Sequence, residues 1–143
     1  MKNILVALQS FGEYSDEPLR LLCGSGAVII FNELKHRLDR DEIVKLGREA
    51  HGIIAGVEPY DKAVLDKLPV LECVSRCGVG IDNVDPAIAK QRNIAVLNTP
   101  NVVIQPVAEM AVAMAFDLLR LLTKNTNNLR SGQWKKIAGR LLS

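Results

Sequence analysis

The chain has 143 residues, 48% of them apolar and 24% charged, which suits one compact soluble domain with a core and excludes a disordered or fibrous protein; two full domains would not fit. Its formal net charge of +2 comes from basic residues spread among acidic ones, so no footprint for nucleic acid is present, and Lys135, Lys136 and Arg140 read as a solvated face. Cys23, Cys73 and Cys77 lack Cys-x-x-Cys spacing and are expected to be buried free thiols in a reducing cytoplasm, with Lys2-Asn3 leading into a strand-like run instead of a signal peptide.

Ile4 to Leu8 is a short apolar run followed by Gln9, Ser10 and Gly12, which predicts a buried first strand ending in a loop. A helix is expected from Asp16, then a strand over Ala27 to Phe31. Asp41-Glu42 opens a second helix with Ile43, Leu46 and Ala50 on one face. Gly52 to Ala55 reads as the next strand, Asp61 to Leu68 as a short helix, and Leu71 to Ser75 as a strand. Asp85-Pro86 supplies an N-cap with proline at the first helical position, and Ile94 to Leu97 forms the last strand. Short β-branched runs alternating with amphipathic helices, too far apart for hairpins, predict a parallel sheet of about five strands covered on both faces. This is a doubly wound, flavodoxin-like α/β domain over residues 1–100.

The character of the chain changes after Asn98-Thr99-Pro100. From Val107 to Leu122 only Glu109, Asp117 and Arg120 are polar, and at about 100° per residue they share an arc of roughly 80°. So wide an apolar circumference predicts burial from several sides, by another domain or another chain. A membrane span is the alternative, but three charges within so short a run argue against it.

Ligands of a doubly wound sheet sit beyond the carboxyl ends of the strands. The loop there that stands out is Arg76-Cys77-Gly78-Val79-Gly80-Ile81-Asp82-Asn83-Val84-Asp85, whose two glycines can expose backbone N–H groups to an anion such as a carboxylate. A tight strand-to-helix turn is the structural alternative for a bare Gly-x-Gly. Taken together, GVGIDNVD, Asn98-Thr99-Pro100, Val107-Ala108-Glu109, Arg120 and Ser131-Gly132-Gln133-Trp134 resemble the D-isomer-specific 2-hydroxyacid dehydrogenases, with phosphoglycerate dehydrogenases the nearest flavour.

The resemblance implies that Gly78, Val79 and Gly80 form the substrate-carboxylate loop, with the amides of Val79 and Gly80 as donors and Val79 also near the cofactor, NAD. Arg76 would border that pocket, or else be a surface ion-pair partner. Asp82 and Asn83 look structural. Residues 101–143 would cross into the start of a Rossmann cofactor domain. There Pro106 takes the position that touches the nicotinamide end, although proline offers no N–H and could instead begin the helix. The helix 107–122 would pack in that cofactor domain and at a homodimer interface, making Glu109 and Arg120 cap and interface residues.

The family's catalytic arginine, glutamate and histidine and its Gly-x-Gly-x-x-Gly loop are expected downstream of Ser143. The 143 residues would then be inactive and would not bind NAD tightly. His36 and His51 are expected in a helix and at a strand start, away from the recognised loops. The substrate class implied is a small 2-hydroxy or 2-oxo acid. Two other readings remain: a stand-alone regulatory domain, which as a response-regulator receiver would need paired acids where Gln9-Ser10-Phe11 stands, and a corepressor-type relative of the family.

Overall fold

The computed structural model describes residues 1–142. They form two units, 1–101 and 102 onward.

In the first unit, β1 (Asn3–Val6), α1 (Glu17–Cys23), β2 (Val28–Phe31), α2 (Arg40–Gly47), β3 (Gly52–Ala55), α3 (Lys62–Leu65), β4 (Cys73–Arg76), α4 (Pro86–Gln91) and β5 (Ala95–Leu97) follow one another. The five strands are all parallel, in the order β2-β1-β3-β4-β5. Strand order therefore reverses between β1 and β3. With right-handed crossovers, that reversal puts α1 on one face and α2, α3 and α4 on the other. The contacts of α3 with both α2 and α4 fit this arrangement.

The register pairs Leu5 with Ile53 and Ile53 with Val74, so these side chains share one face. All three are buried, together with Ile43, Val64, Leu65, Leu68 and Ala89 from the helices. Each large side chain fully buried there contributes roughly 1.5–3 kcal/mol. The opposite face carries Ile4, Ile29, Ile54 and Leu97; Leu97 is 55% exposed, and α1 has no buried residue.

Local chemistry explains where the helices begin. Asp39 caps α2 through a capping box: its carboxylate accepts the N–H of Glu42 at 2.9 Å, and Glu42 accepts the N–H of Asp39 at 2.9 Å. This starts α2 at Arg40, just before the expected Asp41-Glu42, and Ala50 lies beyond the helix although it remains buried. The helix expected over 61–68 is reduced to four residues, capped by Asp61. Asp85 caps α4 by accepting the N–H groups of Ala87 and Ile88 at 3.0 and 3.1 Å. Strands β1 and β4 end at Val6 and begin at Cys73, shorter than the apolar runs that mark them.

The second unit contains α5 (Ile104–Arg120) and α6 (Leu122–Arg130). The helix expected to continue to Leu122 stops at Arg120, because Leu121 adopts a left-handed conformation with φ 55°. Asp117 supplies the reason: its carboxylate accepts the Thr123 N–H at 2.7 Å and the Thr123 hydroxyl at 2.8 Å. It thus satisfies an N–H in the first turn of α6 that Leu121 has no side chain to cap. Pro106 is the third residue of α5, not its first; its missing N–H falls where no intrahelical bond would form. Glu109 is the sixth residue, accepting from Gln105 at 2.9 Å, so it is not a cap.

Among the described residues no part of α5 is buried, and Met110, Met114 and Leu118, spaced four apart, are 56%, 57% and 75% exposed. No helix there is long and apolar enough to cross a membrane. The cysteines differ from expectation: Cys23 and Cys77 are exposed and Cys73 is half-buried. Cys23 ends a helix that buries nothing, and Cys77 has passed the end of β4 into the loop region.

Candidate active site

The sequence loop Gly78 to Gly80 leaves β4 at the carboxyl edge of the sheet. Gly78 is buried with φ +144°, and a Cβ there would overlap the Arg76 guanidinium folded across it. The Gly78 carbonyl accepts from the Thr99 N–H at 2.9 Å, and the Val79 carbonyl accepts from the Asn98 amide at 2.7 Å. On the other side, the Asn83 amide donates to the carbonyls of Gly56 and Glu58 at 3.2 and 2.7 Å. A bridge between Tyr60 and Val84 joins the same two loops. Asn83 is thus structural, as its position in the motif suggests.

The consequence is a loop whose carbonyls are turned away and pinned. No acceptor within the described residues takes the N–H of Val79 or Gly80, and both residues are exposed. Arg76 adds a buried Nε–H without a partner. It joins none of the ion pairs among the described residues, so the surface-pair alternative for it is not the one observed. Two free backbone donors beside an unpaired guanidinium have the chemistry to accept an anion such as a carboxylate.

A cleft of about 860 Å³ opens beside this loop where strand order reverses, lined by the ends of β1, β2, β3 and β4. Cys77 is common to the cleft and the glycine loop. Glu58 lies in its wall, 3% exposed, with its carboxylate accepting the Gly56 N–H at 2.7 Å. Below it the buried Tyr60 hydroxyl has no partner, and burial, reinforced by the Glu58 charge, raises its pKa far above the ordinary tyrosine value. Tyr60 is therefore a neutral core residue, not a base.

Both histidines lie outside the cleft. His36 is in the loop after β2, not in a helix, and pairs with Glu42 at 2.9 Å. At the start of β3, His51 accepts the Asn3 N–H at 3.2 Å through Nδ1. No cluster of metal-binding side chains occurs among the described residues. Arg76, Gly78, Val79 and Gly80 come together in the first unit, whereas Pro106 belongs to the second, exposed in the first turn of α5. The residues that sequence reasoning missed are Lys35 and Arg37, which line the cleft from the loop after β2. Their signal was two cations directly beyond a strand's carboxyl end.

The profile of the D-isomer specific 2-hydroxyacid dehydrogenase catalytic domain matches residues 6–135. The chain belongs to this family. It is 33% identical over 104 residues to hydroxypyruvate reductase of Thermotoga maritima, covering 71% of this chain and 33% of that protein. It is 34% identical over 100 residues to glyoxylate reductase of Pyrococcus horikoshii, covering 69% of this chain and 30% of the relative. The fold matches NAD+-bound 3-phosphoglycerate dehydrogenase of Entamoeba histolytica with a TM-score of 0.75 at 21% identity, over 99% of this chain and 43% of that one. The chain thus spans about a third of the length of these curated relatives. Its α/β sheet and its oxidoreductase family membership agree.

Proposed function

We propose that these residues form the substrate side of an NAD-dependent oxidoreductase that interconverts a small D-2-hydroxy acid and its 2-oxo acid. The substrate carboxylate is received by the N–H groups of Val79 and Gly80 and by Arg76. The observation that carries this reading is that both amides lack an acceptor among the described residues while their neighbouring carbonyls are tied to Asn98 and Thr99.

In the reaction the C2–H bond gives up a hydride and the hydroxyl gives up a proton. NAD supplies the hydride acceptor when bound. The side chain of Val79, 41% exposed at the sheet edge, offers an apolar surface to the nicotinamide end. Residues 1–143 have no Gly-x-Gly-x-x-Gly turn, so they do not fit the pyrophosphate. Pro106 can add only van der Waals contact. We assign the proton and hydride steps to catalytic residues outside 1–143, so that the 143 residues alone bind substrate without turning it over. The exposed apolar stripe of α5 is covered in the assembled enzyme by the cofactor domain or by a second copy. A cytoplasmic setting suits three unpaired thiols.

Calorimetry comparing D-lactate with D-lactamide tests the proposal. The acid is expected to bind and the uncharged amide not to, because the site recognises an anion. Equal binding of the two would overturn it.

A further inference from the structure

The cleft beside the glycine loop contains two cations that the carboxylate reading leaves unused. Lys35 and Arg37 both come from the loop between β2 and α2, and neither pairs with a carboxylate among the described residues. Of the two acids in the cleft wall, Glu58 is turned inward onto the Gly56 N–H and Glu13 is on the separate loop after β1.

This loop is held rather than loose. The Gln9 amide donates to the Lys35 carbonyl at 2.6 Å, and the Asn32 amide donates to the His36 carbonyl at 2.9 Å. Asn32 also accepts the Leu34 N–H at 3.1 Å. Lys35 is kept at φ 56°, an uncommon conformation for a lysine, which persists only when its surroundings impose it. Arg37 Nη2 donates to the Val57 carbonyl at 2.6 Å, which brings the guanidinium from the end of β2 across to the end of β3. Its Nε and Nη1 have no acceptor among the described residues. An arginine fixed by one nitrogen and free at the others is suited to an anion.

We propose that Arg37, assisted by Lys35, binds a second anionic group of the substrate, at the end remote from the carboxylate held by Val79 and Gly80. This rests on the proposed carboxylate site. Arg37 reaches Val57 just beyond β3, the strand next to β4, so an anion on Arg37 and a carboxylate on the glycine loop occupy the ends of adjacent strands. A short acid bearing a phosphate or a second carboxylate at its far end suits that arrangement. Lactate-like substrates carry no second anion for Arg37.

The test is titration of the 143-residue chain, followed by amide NMR, with D-3-phosphoglycerate, D-malate, D-glycerate and D-lactate. Phosphoglycerate and malate separate the two possible anions, and glycerate and lactate are their singly charged counterparts. At least one doubly charged ligand is expected to bind about tenfold more tightly than its counterpart. Arg37→Gln should abolish that difference without changing glycerate affinity. Because Arg37 also ties two loops, Lys35→Asn, which suits the left-handed backbone, serves as a second variant and should reduce the difference about threefold.

Absence of any difference in the wild type, or its survival in both variants, overturns the inference. Glycerate shifts at Val79 and Gly80 without discrimination would leave the carboxylate reading standing and remove this one. Arg37-dependent binding of phosphoglycerate without glycerate shifts at those amides would do the reverse.

Discussion

Substitution of Gly78 by alanine isolates what the glycine loop requires. Two costs arise: a Cβ would meet the Arg76 guanidinium, and the backbone sits at φ +144°. The first is small, because the far end of an arginine side chain can swing aside. The second is fixed by the backbone, and holding a non-glycine residue in such a region costs about 1–3 kcal/mol. With a urea slope of about 1–3 kcal/mol per molar for a domain of this size, the unfolding midpoint should fall by roughly 1 M. Far-UV circular dichroism is the suitable probe, since the only tryptophan, Trp134, is in the second unit.

Gly80 provides the control. It has no left-handed φ, and a Cβ there would approach only the Asp82 carboxylate, at 3.1 Å. Gly80→Ala should cost under about 1 kcal/mol. Adding Arg76→Ala to Gly78→Ala should not restore stability, because the strain is in the backbone. Equal midpoints for the two alanine variants, or rescue by Arg76→Ala, would show that backbone strain at Gly78 is not the cause.

Ile53, 1% exposed at the centre of the sheet, should lose about 2–5 kcal/mol on substitution by alanine, measured by the same unfolding curves. Asp85→Ala removes the acceptor for two N–H groups of α4 and should lower stability by about 1 kcal/mol, whereas Asp85→Asn should lose only a fraction of that. The hydrogen bond from Arg40, and secondarily the backbone N–H groups of Val64 and Ala63, hold the Asp61 carboxyl below the ordinary carboxylate range. A depressed folded-state pKa contributes stability above the unfolded value and loses it as pH falls through the folded one. The advantage of wild type over Asp61→Asn should be constant near neutrality and vanish in acid, and it should be modest because the pair is solvent-exposed. Residues 1–143 mixed with NADH and hydroxypyruvate should show no oxidation above background at 340 nm; turnover would contradict the assignment of the catalytic groups elsewhere.

The sheet was legible because its strands fall in short apolar runs and three of the helices between them start behind a capping aspartate, Asp39, Asp61 and Asp85. Helix ends were less so. Nothing local in Leu121 announces a break; it follows from the Asp117 to Thr123 hydrogen bonds, which join residues six apart. The glycine loop could be read as an anion receptor from its residue types. That its amides are free depends on Asn98 and Thr99 fixing its carbonyls, a contact between the ends of β4 and β5. Thiol burial failed because apolar neighbours in sequence do not define neighbours in space: Val74 is fully buried while Cys73 and Cys77 are not. Lys35 and Arg37 were missed because cations after a strand look like solvated loop residues until the fold places them in one cleft with Cys77, the residue before Gly78.

The proposed seat of the substrate carboxylate is the pair of amides of Val79 and Gly80. The most direct measurement is the amide NMR spectrum of the 143-residue chain titrated with D-glycerate. The largest saturating shifts are expected on Val79 and Gly80, accompanied by the Arg76 side-chain Nε–H. Shifts confined to other loops, or none at these amides at tens of millimolar ligand, a range set by the millimolar affinities of small anions at about −4 kcal/mol, would contradict it.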